Sequence, residues 1–198
     1  MRHVAWTAGL AALIAVGASA QDAPTKGKIG EAARFFKVKD AMKADETWIN
    51  LEDHKGKDAV VLVWISQNCD VTWRYEGRTG ELMKEFSPKG VKFYAVWSSA
   101  ADSADGIKKY AESKNYVMPV LDDAKGELAR FYGVNTTPAY VVIDKEGKFR
   151  YRGACDDLQL GGGFKEDASK AKERFVHAAL TAILEGKDVT ITEKKGVG

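Results

Sequence analysis

A chain of 198 residues with 45% apolar side chains suits one domain with a sizeable core. Thirty lysines and arginines against 28 aspartates and glutamates leave a net charge of +2, with no electrostatic footprint for nucleic acid or a membrane surface. Two cysteines and three histidines, none at metal-ligand spacing, exclude a zinc site, and no haem or nucleotide signature is present, so neither metal nor cofactor is expected.

Met1-Arg2-His3 is a short basic start, Val4 to Val16 an apolar run, and Ala18-Ser19-Ala20 a small-x-small cleavage pattern. Residues 1–20 are therefore predicted to be a secretory signal peptide. The apolar run is shorter than the roughly 20 residues that a bilayer span needs. An uncleaved anchor is the competing reading. Export predicts a periplasmic or secreted protein with no membrane span after cleavage, and places Cys69 and Cys155 in an oxidising compartment.

Residues 21–34 are polar and read as a flexible leader, ahead of a domain over 35–190 and a polar tail over 191–198. Phe35 to Val38 and Trp48 to Leu51 are short apolar pieces. Ala59 to Ile65 is a continuous apolar, β-branched run, the mark of a strand buried on both faces. Ser66-Gln67-Asn68-Cys69-Asp70 breaks it. A helix follows with Val71, Tyr75, Leu82 and Phe86 on one side; Gly77 and Gly80 weaken it by about 1 kcal/mol each, and Pro88 and Gly90 end it. Val91 to Trp97 is a second strand, and residues 98–102 a loop. Ser103 or Asp105 can cap a helix carrying Ile107, Tyr110 and Ala111. Val117 to Leu121 is extended, and Gly126 to Tyr132 a short helix. Thr137-Pro138 precedes a strand at 139–143, a tight turn at 144–147 and an edge strand at 149–153. Residues 158–163 are glycine-rich, and 168–184 reads as a closing amphipathic helix. Strands alternating with helices give an α/β fold, a mixed central sheet with helices on both faces.

The buried strand, the cysteine at the strand-to-helix junction, Thr137-Pro138 before a strand, the hairpin and the closing helix together resemble the thioredoxin fold. Tyr75-Glu76-Gly77-Arg78, Asn135-Thr136-Thr137-Pro138 and Tyr151-Arg152-Gly153 followed by Asp156-Asp157 are similar to its redoxin, or peroxiredoxin-like, branch: the alkyl hydroperoxide reductase and thiol-specific antioxidant relatives. There are departures. Thioredoxins carry Cys-x-x-Cys and peroxiredoxins Thr-x-x-Cys, whereas the window here is Ser66-Gln67-Asn68-Cys69, and Asp70 stands where proline is common.

The resemblance implies that Cys69 is the nucleophile, Ser66 its hydrogen-bond partner, and Thr137-Pro138 a cis pair beside the sulfur that offers a backbone edge to substrate. A helix N-terminus favours a thiolate, and Arg74 and Arg78 can add positive potential. Asp70 either opposes this or caps the helix. In the family's sheet order Cys155 falls on the same rim as Cys69, two strands or roughly 10 Å away. A disulfide needs Cα atoms within about 7 Å, so Cys155 would resolve an oxidised Cys69 only if the glycine-flanked loop moves; otherwise it is an isolated thiol. Two functions follow: an exported thiol oxidoreductase acting on a peroxide or protein disulfide and reduced by a thiol protein or small thiol, or a redox-inactive binding module on the same scaffold. His54 and His177 read as surface residues.

Overall fold

The structure, a computed structural model, describes residues 26–34, 36–43, 45, 47–99, 101–158 and 170–196. The signal peptide read over 1–20 lies outside the described residues. Two short strands, β1 (Lys37–Lys39) and β2 (Trp48–Asn50), pair antiparallel. A five-stranded sheet follows, built from β3 (Ala59–Ile65), β4 (Val91–Trp97), β5 (Val120–Asp122), β6 (Ala139–Ile143) and β7 (Phe149–Gly153). Its order is β5-β4-β3-β6-β7; β3, β4 and β5 run parallel, and β6 and β7 antiparallel to their neighbours. The helices are α1 (Asp70–Phe86), α2 (Ala104–Ser113), α3 (Glu127–Tyr132) and α4 (Phe175–Leu184).

All seven residues of β3 are buried, as its unbroken apolar run requires. Val61, Val63 and Ile65 face a core shared with α1, α2 and α4, while Val60, Leu62 and Trp64 face a second core with α3 and Leu51. Helix α1 runs through Gly77 and Gly80 unbroken. Each glycine costs about 1 kcal/mol, but burial of Val71, Tyr75, Leu82 and Phe86 contributes about 1.5–3 kcal/mol per large side chain and outweighs it. Ser103, not Asp105, caps α2: its hydroxyl accepts from the Gly106 N–H at 3.0 Å. Helix α4 starts at Phe175 rather than near 168, since large apolar side chains begin only there; residues 168 and 169 lie outside the described residues.

The periphery is tied to the domain by backbone hydrogen bonds. The described part of the leader is pinned: Gly27 N–H donates to Phe131 O at 2.8 Å, Gly30 N–H to Phe149 O at 2.7 Å and Ala33 N–H to Gly147 O at 2.8 Å. The tail is also engaged: Arg152 N–H donates to Thr192 O at 3.0 Å, and Lys194 N–H to Arg152 O at 3.1 Å. Strand β7 is therefore last in the sheet but not bare, since Ala32 bridges to Lys148 and Glu193 to Arg152 along its outer side. At the opposite border Asp40 bridges to Leu121, and Ala41 N–H donates to Val120 O at 2.7 Å. His54 is partly buried rather than a free surface residue, held between Asp58 Oδ2 at 2.9 Å and the Tyr94 hydroxyl at 2.6 Å.

Candidate active site

Strand β3 stops at Ile65, and the turn Ser66-Gln67-Asn68 delivers Cys69 to the N-cap of α1. Its backbone is extended (φ −107°, ψ 109°), and no side chain caps the helix, so the sulfur sits at a helix start whose first N–H groups favour an anion. The thiol donates to the carbonyl of Thr137 at 3.1 Å. Thr137 and Pro138 are joined by a cis peptide immediately before β6. Cys69, Thr137 and Pro138 thus come together at the end of the two central strands.

Ser66 is not directed at the sulfur. It is buried at the end of β3, where its hydroxyl accepts from Asn68 N–H at 3.2 Å and donates to Asp102 Oδ1 at 3.3 Å. This corrects its expected role as partner of the thiol: the strand end turns it toward the 98–102 loop. Asp102 is a functional candidate that the sequence did not single out. Its Oδ1 also accepts from Asn68 Nδ2 at 2.7 Å, and its buried Oδ2 has no hydrogen-bond partner among the described residues. No pattern around Ala101-Asp102-Ser103 marks it; only the fold carries it under the Cys69 turn.

The basic residues also sort differently. Arg74 pairs with Asp70 at 3.3 Å. Arg78 is not near the thiol but lies against Asp156, Nη1 to Oδ1 at 3.0 Å, both side chains sealed from solvent. Burial pushes the Asp156 carboxyl up, and the Arg78 guanidinium partly offsets this.

Cys155 shares a small cavity with Arg78, Leu82 and Asp156. Arg78, which lines that cavity, is nine residues along α1 from Cys69, roughly 13 Å at 1.5 Å per residue. Val176 N–H donates to Cys155 O at 3.1 Å and fixes the backbone. Burial pushes the Cys155 thiol up to about 12, with the Asp156 charge adding to it. The sequence reading puts Cys155 on the same rim as Cys69, two strands away; in the structure it is buried against α1 and α4 rather than open on that rim. Both cysteines are free thiols.

A cavity of about 300 Å³ opens beside the site, lined by Trp64, Ser66, Ser98, Asn135, Thr136 and Thr137 among others. Trp64 Nε1 donates to Ser98 Oγ at 3.0 Å, and Ser98 donates to Asp123 Oδ2 at 2.5 Å. Among the described residues, no group of three or more His, Cys, Asp or Glu side chains is placed to hold a metal ion. No helix of the described residues is long and apolar enough to cross a membrane.

Residues 29–152 match the AhpC/TSA family. The chain belongs to that family. It is 31% identical over 125 residues to a Bacillus thuringiensis subsp. konkukian (strain 97-27) protein named thiol-disulfide oxidoreductase ResA, a match covering 62% of this chain and 68% of the relative. The crystal structure of an uncharacterized conserved protein from Geobacillus kaustophilus superposes with a TM-score of 0.73 at 30% identity, covering 85% of this chain and 88% of the other. A thiol:disulfide interchange protein of the thioredoxin family from Chlorobium tepidum TLS superposes with a TM-score of 0.58 at 15% identity, over 80% and 99% of the two chains; at that identity the likeness is one of fold. The thioredoxin-like architecture read from the AhpC/TSA chain's strands and helices is therefore its observed fold.

Proposed function

We propose that this AhpC/TSA chain is an exported thiol-disulfide oxidoreductase that works through Cys69 as its single reacting thiol. The observation that carries this reading is the placement of Cys69 at the N-cap of α1, its sulfur 3.1 Å from the Thr137 carbonyl next to cis Pro138. A relative named thiol-disulfide oxidoreductase supports it, and the pattern over residues 1–20 supports export.

The helix start supplies the charge stabilisation that a thiolate needs. Counting from the N-cap, the position one helical turn on is Thr72, buried, with its hydroxyl accepting from Ser66 N–H at 3.4 Å. A threonine forms no disulfide, so the motif holds no internal resolving sulfur. In the first half-reaction the Cys69 thiolate attacks one sulfur of a substrate disulfide; a Cys69–substrate S–S bond forms and the other substrate sulfur leaves as a thiolate. In the second, the thiolate of a reducing protein or small thiol attacks the substrate sulfur, and Cys69 departs as a thiolate. Disulfide exchange is favoured over peroxide reduction because the Ser66 hydroxyl is committed to Asp102 and Asn68 rather than to an oxygen arriving at the sulfur.

The test is incubation of a Cys155→Ala protein with hydroxyethyl disulfide and mass analysis of the adduct. A mixed disulfide on Cys69, absent from a Cys69→Ser control and released by dithiothreitol, is the expected result. A protein that stays unmodified over hours at pH 8 would instead be a redox-inactive binding module on this scaffold.

A further inference from the structure

A second cavity, of about 310 Å³, shares Val134, Asn135 and Thr136 with the cavity beside Ser66. Its other walls are cationic: Lys26, Arg152, Lys194 and Lys195 line it against one carboxylate, Glu193. Glu193 is already engaged by Arg152, from Nε at 3.1 Å and again from Nη2. The remaining Arg152 nitrogen, Nη1, donates to the Tyr132 carbonyl at 2.7 Å. Lys194 leans on the Phe175 ring, its amine 4.9 Å from the centroid. Lys26 and Lys195 have no carboxylate partner among the described residues. The backbone N–H groups of Asn135 and Thr136 find no acceptor among the described residues either.

Cations gathered from three separate chain regions around one cleft repel each other and favour an anion between them. Two open N–H donors on the same wall add hydrogen bonds that an acceptor-only group can take. The cleft is also within reach of the reacting sulfur. Thr137, whose carbonyl meets Cys69, is three residues from Val134, at most ~11 Å of extended chain. A ligand with a carboxylate two or three residues from its own sulfur spans that distance.

We propose that the Lys26–Lys195 cleft binds a carboxylate of the thiol or disulfide peptide that reacts at Cys69. The cleft selects acidic peptides over neutral or basic ones and sets which disulfides are productive. The inference rests on the exchange reading only for the sulfur end of the ligand; the carboxylate end stands on the cleft alone. The carboxylate can belong to a free tripeptide thiol or to an acidic polypeptide segment, which are the same chemistry from two sources.

The test separates binding from reaction. S-methylglutathione, which carries carboxylates and a blocked sulfur, is titrated into the purified protein at low ionic strength and followed by backbone amide NMR. A Glu-rich heptapeptide without cysteine is the second probe. Shifts at Val134, Asn135, Thr136 and Gly153 are expected from one or both, and which probe gives them identifies the source. The carboxyl-esterified forms should give none. Lys26→Glu combined with Lys195→Glu should weaken binding by about tenfold or more, and 0.5 M salt should do the same. Lys145→Glu, the same charge change at the distant β6–β7 turn, should leave it intact. Absence of shifts from both probes, equal shifts from the esters, or indifference to the Lys26/Lys195 reversal would overturn the proposal. If Cys69 proves inert toward disulfides while S-methylglutathione still binds, the exchange reading fails and the cleft stands.

Discussion

The Cys69 thiol points at the Thr137 carbonyl, 3.1 Å away, and this contact exists only while the sulfur is protonated. Ionisation replaces a donor by an anion facing a carbonyl oxygen, so the thiolate must leave that contact and rely on the helix start. The described contact is that of a thiol, and the proposed exchange reaction requires the sulfur to move off Thr137 as it ionises.

Selective labelling distinguishes the two cysteines. The Cys155 thiol is pushed up to about 12 and buried, so its thiolate fraction at pH 8 is on the order of 10⁻⁴. Iodoacetamide at pH 8 should modify Cys69 and spare Cys155 until the protein is unfolded. Peptide mapping reads this directly, and equal labelling of both cysteines in the native protein would contradict the burial of Cys155.

The Asp102 carboxylate holds the turn before Cys69 through Asn68 Nδ2 at 2.7 Å and keeps one buried oxygen without a partner among the described residues. Asp102→Asn retains an acceptor for Ser66 and Asn68, whereas Asp102→Ala removes it. Asp102→Ala should lower stability by about 1–3 kcal/mol and Asp102→Asn by less, read as urea midpoints, because only the first leaves the Ser66 and Asn68 donors unsatisfied. Equal midpoints for the two variants would mean that the Asp102 contacts do not hold the turn.

Arg78→Ala should destabilise the protein by about 3–5 kcal/mol, since it leaves Asp156 buried without its cation. Arg78→Met together with Asp156→Leu should recover much of that loss. Denaturant midpoints measured on the three variants check the pair.

Alkaline stability follows from groups that the fold keeps neutral. Burial raises the Cys155 thiol from 9.0, and the Tyr75 and Tyr116 hydroxyls from 10.0, each to about 12. A raised native value means that the unfolded chain releases its proton first, so stability is intact below about pH 9 and is lost progressively between 9 and 12. Urea midpoints at pH 8, 10 and 11 should fall in that order, with a shallower fall in Cys155→Ala.

Gly153 has φ of 137°, and a Cβ there would run into the Lys194 carbonyl. Gly153→Ala should cost about 1–3 kcal/mol in backbone strain and detach the 192–194 segment. Faster hydrogen exchange at the Arg152 and Lys194 amides would report the detachment.

The sequence was most readable where burial dictates composition. The apolar runs at 59–65, 91–97 and 139–143 are strands over those same residues. The expected junction of Cys69 with a following helix is also observed, with Cys69 at the N-cap of α1. What the sequence left open was direction. Ser66 is three residues from Cys69, and only the turn geometry shows that its hydroxyl faces Asp102. Cys155 follows a strand that ends at the correct rim, but a glycine at φ 137° redirects the chain inward, and nothing in Gly153-Ala154-Cys155 announces that turn. The sequence pattern starts α4 seven residues early because Lys170-Ala171-Lys172-Glu173 resembles a solvated helix face, yet it carries no large apolar side chain to hold a helix against the sheet.

The segments lying along both outer strands of the sheet have a consequence for how copies of this protein meet. With Asp40 and Ala41 against β5, and residues 31–33 and 192–194 against β7, the backbone groups that would template an incoming strand are largely occupied from within. Self-association by sheet extension is thereby disfavoured. Contacts between copies at the borders of the five-stranded sheet are left to side chains, where surface charge can tune them.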